Sequence, residues 1–189
     1  MLSAPTDLVM LAVQWGVVFG VCLIAAGWDL TQRRIPNMLV LPVFFAGLAW
    51  GYYLGGWSGL GGAFIGSIML MVPYVLLFAL AGGGAGDAKL MAAIGAWLGI
   101  INGLLALAAV SIVAVVVGVA VAVRKKKVLQ LAFKMGQAAR WIASLVGLAG
   151  KTSTRFDMDD TESIGTLPYA VVIATGVCLA GVAAIIWQL

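Results

Sequence analysis

The chain has 189 residues, of which 63% are hydrophobic and 10% charged, with a formal net charge of +4 and no histidine. So apolar a composition excludes a water-soluble domain of this size and makes a lipid bilayer the solvent for most of its surface. The missing histidine excludes a Ser-His-Asp triad, a Cys-His pair and an HExxH zinc site together.

Residues 1–7 contain no Lys or Arg, so the first apolar stretch reads as a retained transmembrane helix and not as a cleavable signal peptide. A hydrocarbon core about 30 Å thick takes roughly 20 apolar residues of helix to cross. By that measure six spans are predicted. They run at 8–27, 38–54, 60–81, from just after Asp87 to 101, 104–123 and 167–189. Turns are expected at 55–59 and 102–103. Pro168 is expected in the first turn of the last span, where an N–H has no intrahelical partner in any case. Cys22 and Cys178 stand alone in separate apolar stretches and read as small fillers, with neither a disulfide nor a zinc ligand set indicated. Gly62 and Gly66 form a GxxxG pair expected to pack internally, and Trp28, Trp57 and Trp187 fall where interfacial anchors are expected.

With six spans, all eleven Lys and Arg residues lie on one side of the membrane. The positive-inside rule makes that side cytoplasmic and puts both termini opposite. Topology thus accounts for the basic charge, and no nucleic-acid partner is expected. Within residues 128–150, Leu131, Met135, Ile142, Leu145 and Ala149 can share one helical face, with Gln130, Lys134, Gln137 and Ser144 near the other. That pattern predicts an amphipathic helix at the cytoplasmic interface. Residues 151–163 are polar and charged and read as a loop. The expected fold is therefore an all-α membrane protein, one integral domain over 1–189. It has six transmembrane helices and a cytoplasmic segment, 124–163, that carries the interfacial helix.

Seven acidic residues are present. Asp7 lies near the N-terminus, and Asp157, Asp159, Asp160 and Glu162 belong to the polar loop. Asp29 and Asp87 each stand at the cytoplasmic end of an apolar span, where an ionisable group is a functional candidate by default. Each also has a structural reading. Asp29 could pair with Arg33 four residues on, and Asp87 is suited to cap the helix that follows it. Together, in a chain without histidine, they point to aspartyl hydrolysis. Two close carboxylates cannot both ionise easily, so one can activate water while the other, protonated, polarises a scissile carbonyl. That chemistry needs no metal and no cofactor.

Asp87 follows a glycine-rich run, and Gly84, Gly86 and Asp87 form a GxGD motif. A nucleotide-binding loop is the rival reading, but no Lys-Ser/Thr pair follows and no βαβ pattern surrounds it. Upstream, Asp29 is followed by Arg33, Arg34, Ile35, Pro36 and Asn37. On these two motifs, and on Pro168-Tyr169 at the last span, the chain resembles the prepilin peptidases of the GxGD aspartyl protease class. The resemblance implies that Asp29 and Asp87 are the catalytic pair. It makes Gly84, Gly86 and Lys89 part of the active-site loop, and Arg33, Arg34, Ile35, Pro36 and Asn37 a supporting motif. Lys89 reads equally as an interfacial anchor or as a group that tunes Asp87. Pro36 is expected to start the second helix and Asn37 to cap or brace the turn.

Bifunctional members of that family carry a cytoplasmic insert with paired cysteines that accompanies N-methylation. This sequence has no such insert and resembles the short form associated with Flp-type, tight-adherence pili. The implied function is a bacterial inner-membrane endopeptidase that removes the leader of type IV prepilins or pseudopilins at the cytoplasmic face. An archaeal-type preflagellin peptidase would use the same chemistry. A small transporter or structural subunit is the non-enzymatic alternative, but its ionisable groups belong nearer mid-membrane.

Overall fold

The computed structural model describes residues 5–32, 35–81, 85–124 and 169–188. They form four helices: α1 (Pro5–Gln32), α2 (Asn37–Ala81), α3 (Ala85–Arg124) and α4 (Tyr169–Gln188). The described residues are all helical apart from Ile35 and Pro36, and all four helices are long and apolar enough to cross a membrane. The chain divides into two compact units, Met1–Ala114 with Pro168–Leu189, and Val115–Leu167. The described part of the second unit is the end of α3, where Val115, Val116, Val119 and Val123 are exposed and Arg124 closes the helix. The predicted basic run at 125–127, the amphipathic helix at 128–150 and the loop at 151–163 lie outside the described residues.

Two of the four helices are broken by glycine. In α2 the helix is interrupted at Gly55 (φ −140°, ψ 17°) and Gly56 (φ 58°, ψ −138°). The second is a left-handed backbone that side chains with a Cβ rarely adopt. The two arms fold back on each other, since a Cβ on Gly51 would stand 2.7 Å from the Cβ of Ala63 and 2.9 Å from the Gly59 carbonyl oxygen. Ser58 Oγ closes this turn by donating to the Gly55 carbonyl at 2.7 Å. In α3 the break falls at Gly99 (φ 66°, ψ −159°), three residues before the turn expected from Asn102 and Gly103. Gly103 is instead helical and lies against Leu70, which a Cβ there would meet at 3.0 Å.

Small residues let these arms approach closely. A Cβ on Gly66 would meet the backbone of Gly99 at 2.6 Å and the Gly95 carbonyl oxygen at 2.7 Å. The internal packing expected of Gly66 is therefore present, while Gly62 meets nothing within 4 Å. Trp97 ties the first arm of α2 to α3: its Nε1–H donates to the Val43 carbonyl at 2.8 Å, and its ring stacks on Trp50 at 5.7 Å. Gln14 in α1 donates to the Trp97 carbonyl, an acceptor that the neighbouring break at Gly99 leaves without a regular helical partner. Helices α1 and α4 run side by side, with Gly181 packed on the Trp15 ring and Gly176 against Val110 of α3.

The core of the first unit includes Trp15, Val18, Cys22, Leu70, Leu90, Met91, Ile94, Val110, Ile173 and Val177. Residues 90–96 are buried without interruption, so this stretch of α3 is enclosed on all sides. A helix so placed has no polar face to keep, which explains its unbroken apolar sequence. Large apolar side chains such as Leu23, Phe45, Phe64, Ile101 and Leu179 face outward, as a lipid solvent allows.

Candidate active site

Asp29 lies in the last turn of α1, half-buried. A carboxylate there faces the negative end of the helix dipole. The start of α4 offsets this. The backbone N–H of Ala170 donates to Asp29 Oδ2 at 3.3 Å, across 141 residues of sequence. The first four N–H groups of a helix have no intrahelical acceptor, so α4 gains a partner for one of them from α1.

Asp87 lies in the first turn of α3, also half-buried. The sequence suggested that it caps this helix, but the helix starts at Ala85, and Asp87 is its third residue. The two carboxylates are close enough for the charge of Asp29 to act on Asp87. The phenols of Tyr74 and Tyr169 lie within the same electrostatic range of Asp87. The site thus collects one polar side chain from each helix: Asp29 from α1, Tyr74 from α2, Asp87 from α3 and Tyr169 from α4. Two carboxyl groups with nearby phenols can hold a water molecule and exchange protons with it, and they can accept or donate hydrogen bonds to a peptide group.

The two sequence motifs also meet. A Cβ on Gly86 would stand 3.2 Å from the Cβ of Ile35 and 3.4 Å from its Cγ1. Lys89 Nζ donates to Asn37 Oδ1 at 3.1 Å. Asn37 is the first residue of α2, and the Pro36 carbonyl accepts from the N–H groups of Leu39 (3.1 Å) and Val40 (3.4 Å). Pro36 therefore caps α2 through its carbonyl, and Asn37 braces α3. Arg33, Arg34 and Gly84 lie outside the described residues.

Tyr74 was not singled out from sequence, where a lone tyrosine beside Pro73 in an apolar span carries no signal. Tyr169 drew notice only as part of a motif. The Ala170 N–H is a backbone group and has no sequence signature at all.

Among the described residues these features define a helical, multi-pass membrane protein with two aspartates at the ends of its helices. The chain belongs to the type IV leader peptidase family, whose model matches residues 16–119. It is 41% identical over 81 residues to a prepilin leader peptidase/N-methyltransferase of Aeromonas hydrophila, covering 38% of this chain and 27% of that protein. It is 37% identical over 90 residues to the prepilin leader peptidase/N-methyltransferase of Burkholderia pseudomallei (strain 1026b), covering 43% of this chain and 29% of the relative. The match therefore spans less than a third of the length of these curated relatives. No solved structure matches the chain.

Proposed function

We propose that this chain is an aspartic endopeptidase that removes the leader peptide of type IV prepilins or related pseudopilins, with Asp29 and Asp87 as its catalytic pair. The observation that carries the reading is that the carboxylates of Asp29, in the last turn of α1, and Asp87, in the first turn of α3, lie within electrostatic range of each other in a chain without histidine. One carboxylate takes a proton from water as the water attacks the scissile carbonyl. The other, protonated, donates a hydrogen bond to that carbonyl, and a proton passes to the departing amine. Type IV prepilins are favoured as substrate because the relatives above carry prepilin leader peptidase in their descriptions. Methyl transfer is no part of the reading. Purified protein in detergent or liposomes should release the leader from a synthetic prepilin. A folded preparation that leaves every prepilin tested intact would overturn the proposal.

In this reading the arms of α2 and α3 each cross the bilayer, which gives six crossings with those of α1 and α4. The chain lies in the bacterial inner membrane, with its termini periplasmic and the aspartates at the cytoplasmic face. Support comes from the basic residues, all eleven of which then fall on the side of Asp29 and Asp87. After replacement of Cys22 and Cys178, single cysteines within 125–127 and 151–163 should be labelled only from the cytoplasmic side of oriented vesicles. Labelling of 151–163 from the periplasm would remove the six-crossing topology.

Catalysis by two carboxylates needs no metal. Cleavage should therefore persist in the presence of chelators and of serine-protease inhibitors. A reversible loss on chelation, with helicity unchanged by circular dichroism, would require a metal in the mechanism.

A further inference from the structure

In the connection between α1 (Pro5–Gln32) and α2 (Asn37–Ala81) the described residues are Ile35 and Pro36. Its last residues press on the first turn of α3 at two points. Ile35 lies over Gly86, where even a Cβ would be crowded at 3.2 Å. One turn along, the Lys89 ammonium reaches back to the Asn37 side-chain oxygen at 3.1 Å. Gly86 and Lys89 are three residues apart and share a face of the helix. Asp87 is rotated by about 100° from Gly86 and stands on another face. The connection thus grips one side of the turn and leaves Asp87 on a side it does not cover.

The grip joins the two aspartates by a short route. Ile35 and Asn37 follow Asp29 by six and eight residues, and Gly86 and Lys89 flank Asp87. Both contacts resist rotation or sliding of α3 against the start of α2, and such a shift would move Asp87. The apolar contact is short-range and sets the approach of the two segments. The polar contact is a charge-assisted hydrogen bond with a preferred direction, so it sets rotation. Lys89 and Asn37 are both exposed, and water competes for each, so the bond contributes to alignment more than to stability.

We propose that the segment Ile35-Pro36-Asn37 is a clasp that registers the helix of Asp87 against that of Asp29, with Asn37 and Lys89 as positioning residues. The inference rests on Asp29 and Asp87 being the catalytic pair. It gives Lys89 a geometric task. Arginine can perform that task, and methionine, of similar length but with no donor, cannot. Reactions that depend on two groups in register lose rate steeply with small displacements.

Two measurements test the clasp. In kinetics with a synthetic prepilin, Lys89→Met and Asn37→Ala should each lower kcat about tenfold with KM little changed. The double variant should be no worse than either single one, and Lys89→Arg should retain most of the activity. A rise in KM with kcat intact would make Lys89 a substrate contact and overturn the proposal, as would additive losses in the double variant. The second measurement needs no activity. With Cys22 and Cys178 replaced by alanine, Asp29→Cys and Asp87→Cys are introduced together and bridged with a short bifunctional thiol reagent. Adding Lys89→Met should lower the bridging yield several-fold, and Lys89→Arg should restore it. An unchanged yield with Lys89→Met would overturn the clasp even if the protein is a peptidase. A lowered yield in a protein that cleaves no prepilin would sustain the clasp and remove the proposed function instead.

Discussion

Asp29→Asn and Asp87→Asn should each reduce leader cleavage by on the order of 10³-fold or more, with membrane insertion and thermal stability preserved. Each substitution keeps the size and shape of the side chain while removing the carboxyl group that exchanges a proton. At position 29 the amide oxygen can still accept the Ala170 N–H, so the link between α1 and α4 survives. At position 87 the substitution removes a half-buried charge within electrostatic range of Asp29, so folding should not suffer. In the proposed mechanism the two carboxyl groups act on one water molecule as a unit. The double variant should therefore be no slower than either single variant, where independent contributions would multiply. Near-normal processing by either single variant, correctly inserted, would remove that aspartate from the mechanism.

The place of the two aspartates at helix ends was readable from the sequence, and their distant contacts were not. Asp29 and Asp87 stood out because a charged group at the end of an apolar span is costly and rare. The hairpin at Gly55 and Gly56 was readable as well, since consecutive glycines in an uncharged loop mark a turn between two apolar spans. The position of the second turn was not. Gly99 and Gly103 are both glycines in one apolar run, and tertiary contact decides between them: Gly103 is held in helix against Leu70, while Gly99 takes the left-handed backbone. The same limit hid the neighbours of the aspartates. Tyr74 and Tyr169 lie 95 residues apart, and the Ala170 N–H reaches Asp29 across 141 residues. Asp87 shows the difficulty of placing helix ends by propensity alone. Asp87 is the third residue of the helix and not its cap, because Ala85 and Gly86 join the helix ahead of it.

Gly95→Ala should destabilise the protein strongly, whereas Gly86→Val should leave it folded and slow its chemistry. A Cβ at position 95 would collide with the Gly66 carbonyl oxygen and stand 2.8 Å from both the Gly66 carbonyl carbon and the Ser67 Cα. These are backbone atoms of a packed helix and cannot turn aside. The arms of α2 and α3 must separate instead, and the contacts of buried Ile94 and Ala96 loosen with them. Overpacking of this kind costs about 3 kcal/mol, or a fall in Tm of roughly 6–12 °C for a chain of this size. At Gly86 the atoms in the way belong to the Ile35 side chain, at 3.2 to 3.6 Å, and they can move by a few tenths of an ångström. The backbone there is an ordinary first helical turn, so the stability cost should stay near 1 kcal/mol or less. The displaced segment nevertheless lies beside Asp87, and cleavage should fall by about 10- to 100-fold. Thermal unfolding and prepilin cleavage measured on both variants decide the matter. Gly86→Val with full activity would leave the glycine-rich loop no part in the site, and Gly86→Val losing stability as steeply as Gly95→Ala would make it a folding element only.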